Sequence, residues 1–429
     1  MQKIRSIDEF MLLQERLIAD KDPRPKIIIN AGTCGQASGA NDLIRISKRE
    51  LLAHELTGKV GLRITGCHGF CEMEPSVLIE PDGIFYPKVS LDDMKRIVHS
   101  VREQRVLEDL LYTENGTRIE KQNDMPFFKS QTRTLLSFNE KVDPIRIYKY
   151  IENGGYRSLA KVLSKFKPEE VIDEVKRSGL RGRGGAGFPT GLKWELLAKQ
   201  PNRGEKYLVC NADEGDPGAY MDRSLLEGNP HSILEGMMIA AYATGATTGV
   251  IYVRNEYPLA IKHLLIALRQ AREMCILGRD ILGTRFSFDI NLVKGAGAFV
   301  CGEETSLIAS IEGRMGEPRQ RPPFPIQKGI NGKPTAINNV ETWANIRIII
   351  DRGAEEYAKI GTPGNSGTKI FSLVGKVKNT GLVEVPMGTT INQIVNEIGG
   401  GPSGDAKSRQ YKLAGPPADV FQPVCSTCR

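Results

Sequence analysis

The sequence has few features of a membrane, secreted or nucleic-acid-binding protein. Its longest uncharged stretch, 236–253, is interrupted by TGATTG and is predicted as helix, turn and buried strand, so direct membrane insertion is not expected. The opening residues MQKIRSIDEFMLLQ carry mixed charges and no apolar run, so we expect no signal peptide and a cytoplasmic protein. The net charge of +7 is scattered, without a basic run that alternates with aromatic residues, which argues against a nucleic-acid partner.

Histidine and cysteine are also scarce. No two of the five histidines have metal-binding spacing on one helix, and we interpret all of them as structural. They are His54, His68, His99, His231 and His263. The eight cysteines are grouped towards the ends of the chain rather than spread as a disulfide framework, which favours metal binding or burial. Cys301 is predicted to be a buried residue rather than a nucleophile, because no histidine lies near it in the sequence.

What the sequence does contain is a glycine-rich segment, 179–194, that reads GLRGRGGAGFPTGLKW. Gly182, Gly184 and Gly187 fit the pattern G-x-G-x-x-G, in which missing β-carbons let backbone N–H groups approach a phosphate. The preceding residues have apolar positions at helical spacing, so the loop follows a helix and is not an ordinary dinucleotide-binding turn. The alternative is a flexible loop between two helices.

Other residues of the same segment favour a ligand site. Arg181, Arg183 and Lys193 supply cations, Phe188 supplies a flat apolar ring, and Thr190 is predicted to cap the helix GLKWELLAK.

An acidic turn follows a predicted buried strand at 207–210. Asn211, Asp213, Glu214 and Asp216 lie at the carboxyl end of that strand, where their side chains can bind ribityl and ribose hydroxyls. A solvated acidic turn or a cation-binding loop is the alternative. Helices and strands alternate from here on, which predicts a mainly parallel sheet.

Two later segments complete the candidate site. GAGAFVCGEETSLIASIEG places Glu303 and Glu304 just before a helix predicted to begin near Thr305, where carboxylates are favoured. A proline-rich loop then presents Phe324 beside three arginines and ends in a pair of asparagines that can offer amides to a heterocycle or a phosphate. These residues are Arg314, Arg319, Arg321, Asn338 and Asn339.

The N-terminal part of the chain, 1–105, is predicted to be a separate small α/β domain of thioredoxin type. Its two predicted strands are each followed by a cysteine-bearing loop, one with Cys34 and one with Cys67 and Cys71. The more polar stretch 106–145 is interpreted as a linker with short structured pieces, in which Phe127 and Phe128 could pack on a neighbouring domain.

Taken in order, the segments GLRGRGGAGFPTGLKW, CNADEGDPG, GAGAFVCGEET and PPFP…INNVET resemble the NADH-binding flavoprotein subunit of respiratory complex I and of related NAD-reducing or electron-bifurcating hydrogenases and formate dehydrogenases. The N-terminal domain resembles a thioredoxin-like [2Fe-2S] ferredoxin. The resemblance implies an α/β protein with a thioredoxin-like domain at 1–105, a Rossmann-like parallel-sheet domain for FMN and NADH at 146–365 and a small β-grasp domain at 366–401.

The resemblance also implies three sets of site residues. FMN would be held by Gly182, Gly184, Lys193, Asn211, Asp213, Glu214, Gly302, Glu303, Asn338 and Asn339. NADH would contact Phe188, Asp216, Glu304, Arg321 and Phe324. Cys34, Cys67 and Cys71 would ligate a [2Fe-2S] cluster. Ile29 replaces the first cysteine of the C-x4-C pair, so a cluster-free docking domain stays an alternative, and Phe299 replaces a tyrosine, which removes one hydroxyl contact to the flavin.

The expected activity is transfer of a hydride from NADH to FMN and of single electrons to iron–sulfur clusters of a multisubunit complex, without a catalytic acid or base. The expected partners are iron–sulfur subunits and hydrogenase-like or complex I peripheral-arm subunits. The alternative is an incomplete fragment that binds partner subunits without electron transfer. NADPH in place of NADH is a lesser variant.

The C-terminal stretch 402–429 departs from the family, which has a [4Fe-4S] ligand domain there. Codon degeneracy permits 411–429 to be read one nucleotide earlier as VQTGGPSGGCLPAGLFDVP, the expected family segment. We therefore predict an aberrant tail produced by a one-base frameshift between about 405 and 411, with Cys425 and Cys428 out of frame and no [4Fe-4S] ligands. Sequencing of the locus tests this hypothesis.

Overall fold

A computed structural model describes residues 1–201 and 204–403, together with the backbone of 411–412 and 420–421. The chain divides into two units. The first contains Met1–Asp20, Pro144–Lys369 and Pro386–Gly388; the second contains Lys21–Asp143, Ile370–Val385 and the described residues after 388. Most of the predicted frameshifted tail lies outside the described residues.

The elements follow one another in chain order. The N-terminal part contains α1 (Ile7–Ala19), β1 (Lys26–Asn30), α2 (Thr33–Ala37), α3 (Ala40–Ala53), β2 (Gly61–Thr65), β3 (Val77–Glu80), β4 (Ile84–Tyr86), α4 (Leu91–Arg102), β5 (Tyr112–Glu114), β6 (Thr117–Ile119), α5 (Pro126–Lys129) and α6 (Leu136–Lys141). The central part contains α7 (Ile147–Glu152), α8 (Arg157–Lys165), α9 (Pro168–Arg177), α10 (Thr190–Ala198), β7 (Tyr207–Ala212), α11 (Met221–Gly228), α12 (Pro230–Thr244), β8 (Thr248–Arg254) and α13 (Pro258–Glu273). The remainder contains β9 (Asp289–Gly295), α14 (Glu304–Ile311), β10 (Thr335–Asn339), α15 (Val340–Arg352), α16 (Ala354–Ala358), β11 (Gly361–Thr362), β12 (Asn365–Ser366), β13 (Thr368–Leu373), β14 (Gly381–Pro386), a π-helix (Gln393–Ile398), β15 (Tyr411–Lys412) and β16 (Val420–Phe421).

The first unit is built on a four-stranded parallel sheet with the order β10-β7-β8-β9. β7 and β8 are nearly continuous apolar runs, which is typical of strands covered on both faces. The predicted mainly parallel sheet is therefore confirmed. The strand order reverses at β7, because β8 and β9 extend to one side of it and β10 returns to the other. In open α/β sheets this reversal creates a crevice at the carboxyl ends of the strands.

Helix α1 belongs to this first unit, although the sequence predicts it within the N-terminal domain 1–105. The buried Gln14 side chain donates to the carbonyl oxygens of Ile151 (2.9 Å) and Gly155 (3.2 Å). The buried Phe10 and Leu13 lie in the same helix, and α1 packs on α7 and α8. An amphipathic helix shows that one face is buried but not which neighbour buries it.

The second unit contains a four-stranded mixed sheet with the order β2-β1-β3-β4. β1 is parallel to β2 and antiparallel to β3, and β3 is antiparallel to β4. Helix α4 begins with the predicted Ser90 cap, which forms a capping box with Asp93. The predicted helices and strands of this region are present, and the thioredoxin-like assignment stays a prediction.

Most of the stretch 106–145, as far as Asp143, belongs to the second unit and is not the linker that the sequence predicts. Phe127 and Phe128 are buried, and the Phe127 ring stacks on Phe70 with centroids 4.0 Å apart. The fully buried carboxylate of Glu384, in β14, accepts hydrogen bonds from the backbone N–H groups of Thr134, Leu135 and Leu136. The polar composition of the stretch conceals this packing because its buried residues are scattered among exposed polar ones.

Strands β13 and β14 pair in a two-stranded sheet. The Thr390 hydroxyl accepts from the Gln393 N–H at 3.2 Å and so caps the helical stretch 391–398, of which Gln393–Ile398 is the π-helix. The two predicted strands and the capped helix are therefore confirmed, while the β-grasp assignment stays a prediction. Within the part of the chain that the structure describes, no helix is both long enough and apolar enough to cross a membrane.

Candidate functional site

The glycine-rich loop lies at the carboxyl edge of the parallel sheet. It joins α9 to α10, as the helical spacing before it predicts, and its two ends are held together by the Gly182 N–H, which donates to the Phe188 carbonyl at 2.9 Å. A β-carbon at Gly184 would lie 3.0 Å from the Asn339 β-carbon, so this glycine lets the loop pack directly against the end of β10.

The cations of this segment have different environments. Arg183 is buried, and its guanidinium donates to the carbonyl oxygens of Thr368 (3.0 Å) and Ser366, so it anchors the loop instead of facing a ligand. Lys193 donates to the carbonyl of Ile337 at 2.9 Å, and burial lowers the pKa of its ammonium group. Lys193 is therefore the loop cation placed beside the end of β10.

Thr190 does not cap α10, and this prediction is wrong. Thr190 is the first helical residue, Pro189 occupies the cap position, and the Thr190 hydroxyl is buried without a hydrogen-bond partner among the described residues.

The polar residues predicted after β7 and at the end of β10 come together. Asn339 pairs with Asn211, and Asn338 with Cys210, in the parallel register of the two strands. The Asn211 amide donates to the Gly302 carbonyl at 3.0 Å and accepts from the Asp213 N–H at 3.0 Å. Three distant segments therefore meet at the point where the strand order reverses.

Among the buried acceptor atoms at this edge that find no hydrogen-bond partner within the described residues, two belong to predicted site residues. Asp213 Oδ2 and Asn338 Oδ1 are inaccessible to solvent, and no described residue donates a hydrogen bond to either. Burial raises the pKa of Asp213 to about 6, although Arg254 opposes the shift. Unpaired buried acceptors are costly, so they indicate a ligand that carries hydroxyl or N–H donors.

Glu214 and Glu303 are predicted to lie beside the flavin. Both carboxylates accept hydrogen bonds from backbone N–H groups at the start of a helix. Glu214 accepts from the N–H groups of Asp222 and Arg223 at 3.2 Å, at the start of α11, and burial raises its pKa. Glu303 caps α14 by accepting from the N–H groups of Thr305 (2.8 Å) and Ser306 (3.0 Å). Burial opposes ionisation of Glu303, but these hydrogen bonds outweigh it and lower the pKa of the carboxyl.

Sequence reasoning missed two buried carboxylates of this edge. Asp222 Oδ2 accepts from the Asn339 amide at 2.5 Å, and burial together with Glu214 raises the pKa of Asp222 well above its usual range. Glu341, fully buried at the start of α15, pairs with Lys369. The available signal was an acid in the first turn of each helix, directly after a predicted polar cluster.

The residues predicted to contact NADH lie in three loops and, for Glu304, at the first position of α14. Arg321 pairs with Glu304 at 2.7 Å. Phe188 and Phe324 present rings that are 41% and 50% exposed, and Asp216 is partly buried in the acidic turn. Phe299, which replaces the expected tyrosine, is 55% exposed and packs against Gly215, where a β-carbon would lie 2.8 Å from the ring.

A comparison with protein-family models finds a match for the segment that forms this edge of the parallel sheet. Residues 175–348, which include the glycine-rich loop, β7, the turn after it and β10, match the model of the Nuo51 FMN-binding domain. This segment is therefore similar to the Nuo51 FMN-binding domain. Residues 370–420 match the SLBB domain.

Curated relatives match the chain over more than 260 residues. The chain is 58% identical over 266 residues to the NADP-reducing hydrogenase subunit HndC of Solidesulfovibrio fructosivorans, covering 62% of this chain and 54% of that protein. It is 48% identical over 261 residues to a subunit of the NADH-quinone oxidoreductase of Aquifex aeolicus, covering 61% of each. The chain therefore spans little more than half the length of the curated relatives it matches.

A solved structure extends the similarity beyond the Nuo51 domain. A chain of the NAD+-reducing [NiFe]-hydrogenase in its H2-reduced state is 27% identical to this one, with a TM-score of 0.59, covering 98% of this chain and 71% of that one.

The predicted cluster ligands belong to the second unit. Cys67 and Cys71 have Sγ atoms 4.0 Å apart, and the neighbouring thiols Cys34 and Cys67, together with burial, raise the pKa of Cys71 well above its usual range. Ile29, at the position of the missing cysteine, is fully buried in β1. The described residues of this unit thus supply three thiols, one fewer than the four cysteines that ordinarily hold a [2Fe-2S] cluster.

Proposed function

We propose that this chain is the NADH-oxidising flavoprotein subunit of a multisubunit oxidoreductase, of the complex I or NAD-reducing hydrogenase kind. The observation that carries the proposal is the convergence of Asn211, Asp213, Asn338 and Asn339 at the reversal point of the parallel sheet, where Asp213 Oδ2 and Asn338 Oδ1 are buried without a partner among the described residues. When bound there, FMN supplies hydride acceptance from NADH and release of single electrons.

The residues of this edge suit the polar parts of FMN. Asp213 Oδ2 and Asn338 Oδ1 are acceptors for ribityl hydroxyl donors, and the glycine-rich loop and Lys193 suit the phosphate. Asn339 links this edge to the buried Asp222, so its amide is held in one orientation. The protein therefore contributes positions and charges, and none of these residues needs to act as a proton donor.

The nicotinamide nucleotide has its own candidate contacts. The exposed rings of Phe188 and Phe324 can stack on a flat base, and Arg321 and Glu304 form an ion pair that offers both a cation and a carboxylate. Asp216 would accept ribose hydroxyls and would repel a 2′-phosphate, which favours NADH over NADPH. The name of the HndC relative makes NADPH the comparison to test.

Electron exit requires further iron–sulfur subunits, which we propose as the partners of this chain. The three thiols of the second unit do not fit a four-cysteine [2Fe-2S] cluster, so we assign no transfer step to them.

The test is the visible spectrum of the anaerobically purified chain, incubated with FMN and then mixed with NADH or NADPH. Flavin absorbance that bleaches with NADH, and more slowly with NADPH, supports the proposal. A chain that stays colourless after incubation with FMN would contradict it and leave the docking fragment as the better account.

Matched variants show whether the flavin uses the proposed edge. Asn338→Ala should weaken FMN binding about tenfold, because the loss of one hydrogen bond in a buried site costs about 1.4 kcal/mol. The control is Asn291→Ala, which removes an exposed asparagine of β9 and should leave FMN affinity unchanged. Equal affinities of the two variants would place the flavin elsewhere.

A further inference from the structure

Two histidines that the sequence separates by 45 positions meet on the surface of the second unit. His54 follows the last residue of α3, and His99 lies in the last turn of α4. The two helices pack through the buried residues of one core, among them Leu43 and Leu51 of α3 and Ile97 and Val98 of α4. This packing brings both imidazoles beside Glu50, one turn before His54.

The three side chains point their polar atoms at one another. His54 Nε2 lies 3.4 Å, and His99 Nε2 lies 4.0 Å, from the same oxygen, Glu50 Oε2. One ligand atom from each residue lies within 4.8 Å of the other two. The other carboxylate oxygen, Oε1, is 3.3 Å from Arg49 Nη2. The two rings meet edge to face, with centroids 4.4 Å apart and an interplanar angle of 74°.

These separations suit ligands of one metal ion. Nitrogen and oxygen ligands bind Zn²⁺ at about 2.0–2.2 Å in a tetrahedron, so neighbouring ligand atoms are about 3.3–3.5 Å apart. The shorter separation here is in that range, and the longer one needs a small side-chain rotation. A direct hydrogen bond would instead bring donor and acceptor to about 2.9 Å.

We propose that Glu50, His54 and His99 form a binding site for a divalent transition metal ion, Zn²⁺ being the best match, with water completing the coordination. Two imidazoles and one carboxylate suit zinc, whereas Mg²⁺ and Ca²⁺ require oxygen ligands. The side chains of His54 and His99 are 46% and 38% exposed, so an ion can reach the site from solvent. The bound ion joins the end of α3 to the last turn of α4.

The test is a zinc titration of the full chain, followed by NMR of the histidine ring C–H groups. The chain has five histidines, so the spectrum contains five ring systems, assigned with the His54→Ala and His99→Ala variants. We expect the His54 and His99 signals to shift together at micromolar zinc and to stay unchanged with Mg²⁺. His231 and His263, both buried in the first unit, should not shift and report that the fold is intact. Residue-specific signals also separate this site from zinc bound by the thiols.

A matched pair of variants tests the carboxylate. Glu50→Gln should weaken zinc binding, read from the His54 and His99 signals, at least about tenfold. Glu103→Gln, an exposed acid just after α4, should not change it. The proposal is overturned if the two histidine signals fail to shift, if only one shifts, or if Glu50→Gln binds zinc as tightly as the parent chain.

Discussion

Asp213 is predicted to bind the flavin, and its burial is energetically unfavourable in the ligand-free protein. Its carboxylate lies at the end of β7, partly buried, with Oδ2 unpaired among the described residues, and this burial raises its pKa to about 6. A carboxylate held in this way destabilises the ligand-free protein when it is ionised. Such destabilising groups are common in binding sites, because the bound ligand supplies the hydrogen-bond partners that the free protein lacks.

This burial predicts a specific pH dependence of stability for Asp213→Asn. The folded chain binds the Asp213 proton more tightly than the unfolded chain, so stability from this group is present below about pH 4 and is lost as pH rises to about 6. The asparagine variant lacks this loss. In the absence of FMN, the melting temperature of the variant minus that of the parent should therefore become more positive between about pH 4.5 and about pH 7.5.

Asp82→Asn, in the exposed turn after β3, is the control for this measurement and should show a smaller pH-dependent change. A difference between Asp213→Asn and the parent that does not vary with pH would show that the Asp213 carboxyl is not perturbed by burial.

At the scale of elements, the close approach of α12 and α15 determines where the site asparagines lie. α15 begins directly after Asn339, and α12 is buried along almost its whole length. A β-carbon at Gly236 of α12 would overlap the carbonyl oxygen of Trp343 in α15. The absence of a side chain at Gly236 thus lets the two helices pack backbone to backbone.

Gly236→Ala should destabilise the protein by about 1–3 kcal/mol, because the added methyl group has no space between the two helices. Chemical denaturation of parent and variant measures the change. Gly58→Ala is the matched control, since a β-carbon there meets nothing within 4 Å and the backbone does not require glycine. Equal losses in both variants would mean that helix packing is not the cause.

At the scale of the whole molecule, the candidate chemistry is divided between two units. Every residue predicted to contact FMN or NADH lies in the first unit, whereas Cys34, Cys67 and Cys71 lie in the second. Flavin binding and the thiol site therefore depend on separate sets of side chains.

Cys67→Ser should leave FMN affinity and NADH-dependent bleaching unchanged, because no predicted flavin contact comes from the second unit. FMN titration and the anaerobic spectrum of the variant measure both. Loss of flavin in Cys67→Ser, at the same level as in Asn338→Ala, would show that the thiol site and the flavin edge are coupled.

The local elements and the chemistry of the site could be predicted from the sequence alone. The helix before the glycine-rich loop, the capped start of α4 and the buried strand β7 follow from periodicity and capping, which depend on neighbours a few residues away. The motifs also indicated the flavoprotein family, because their residue types occur in a characteristic order. These features need no knowledge of which element packs on which.

Which distant residues meet could be learned from the tertiary structure and not from the sequence. The place of β10 beside β7, the Asn339–Asp222 hydrogen bond and the convergence of His54 and His99 all join residues far apart in the chain. The sequence did not place α1 in the first unit or 106–143 in the second. The physical reason is that hydrophobic burial is not directional: an apolar face must be covered, but its pattern does not specify by which partner.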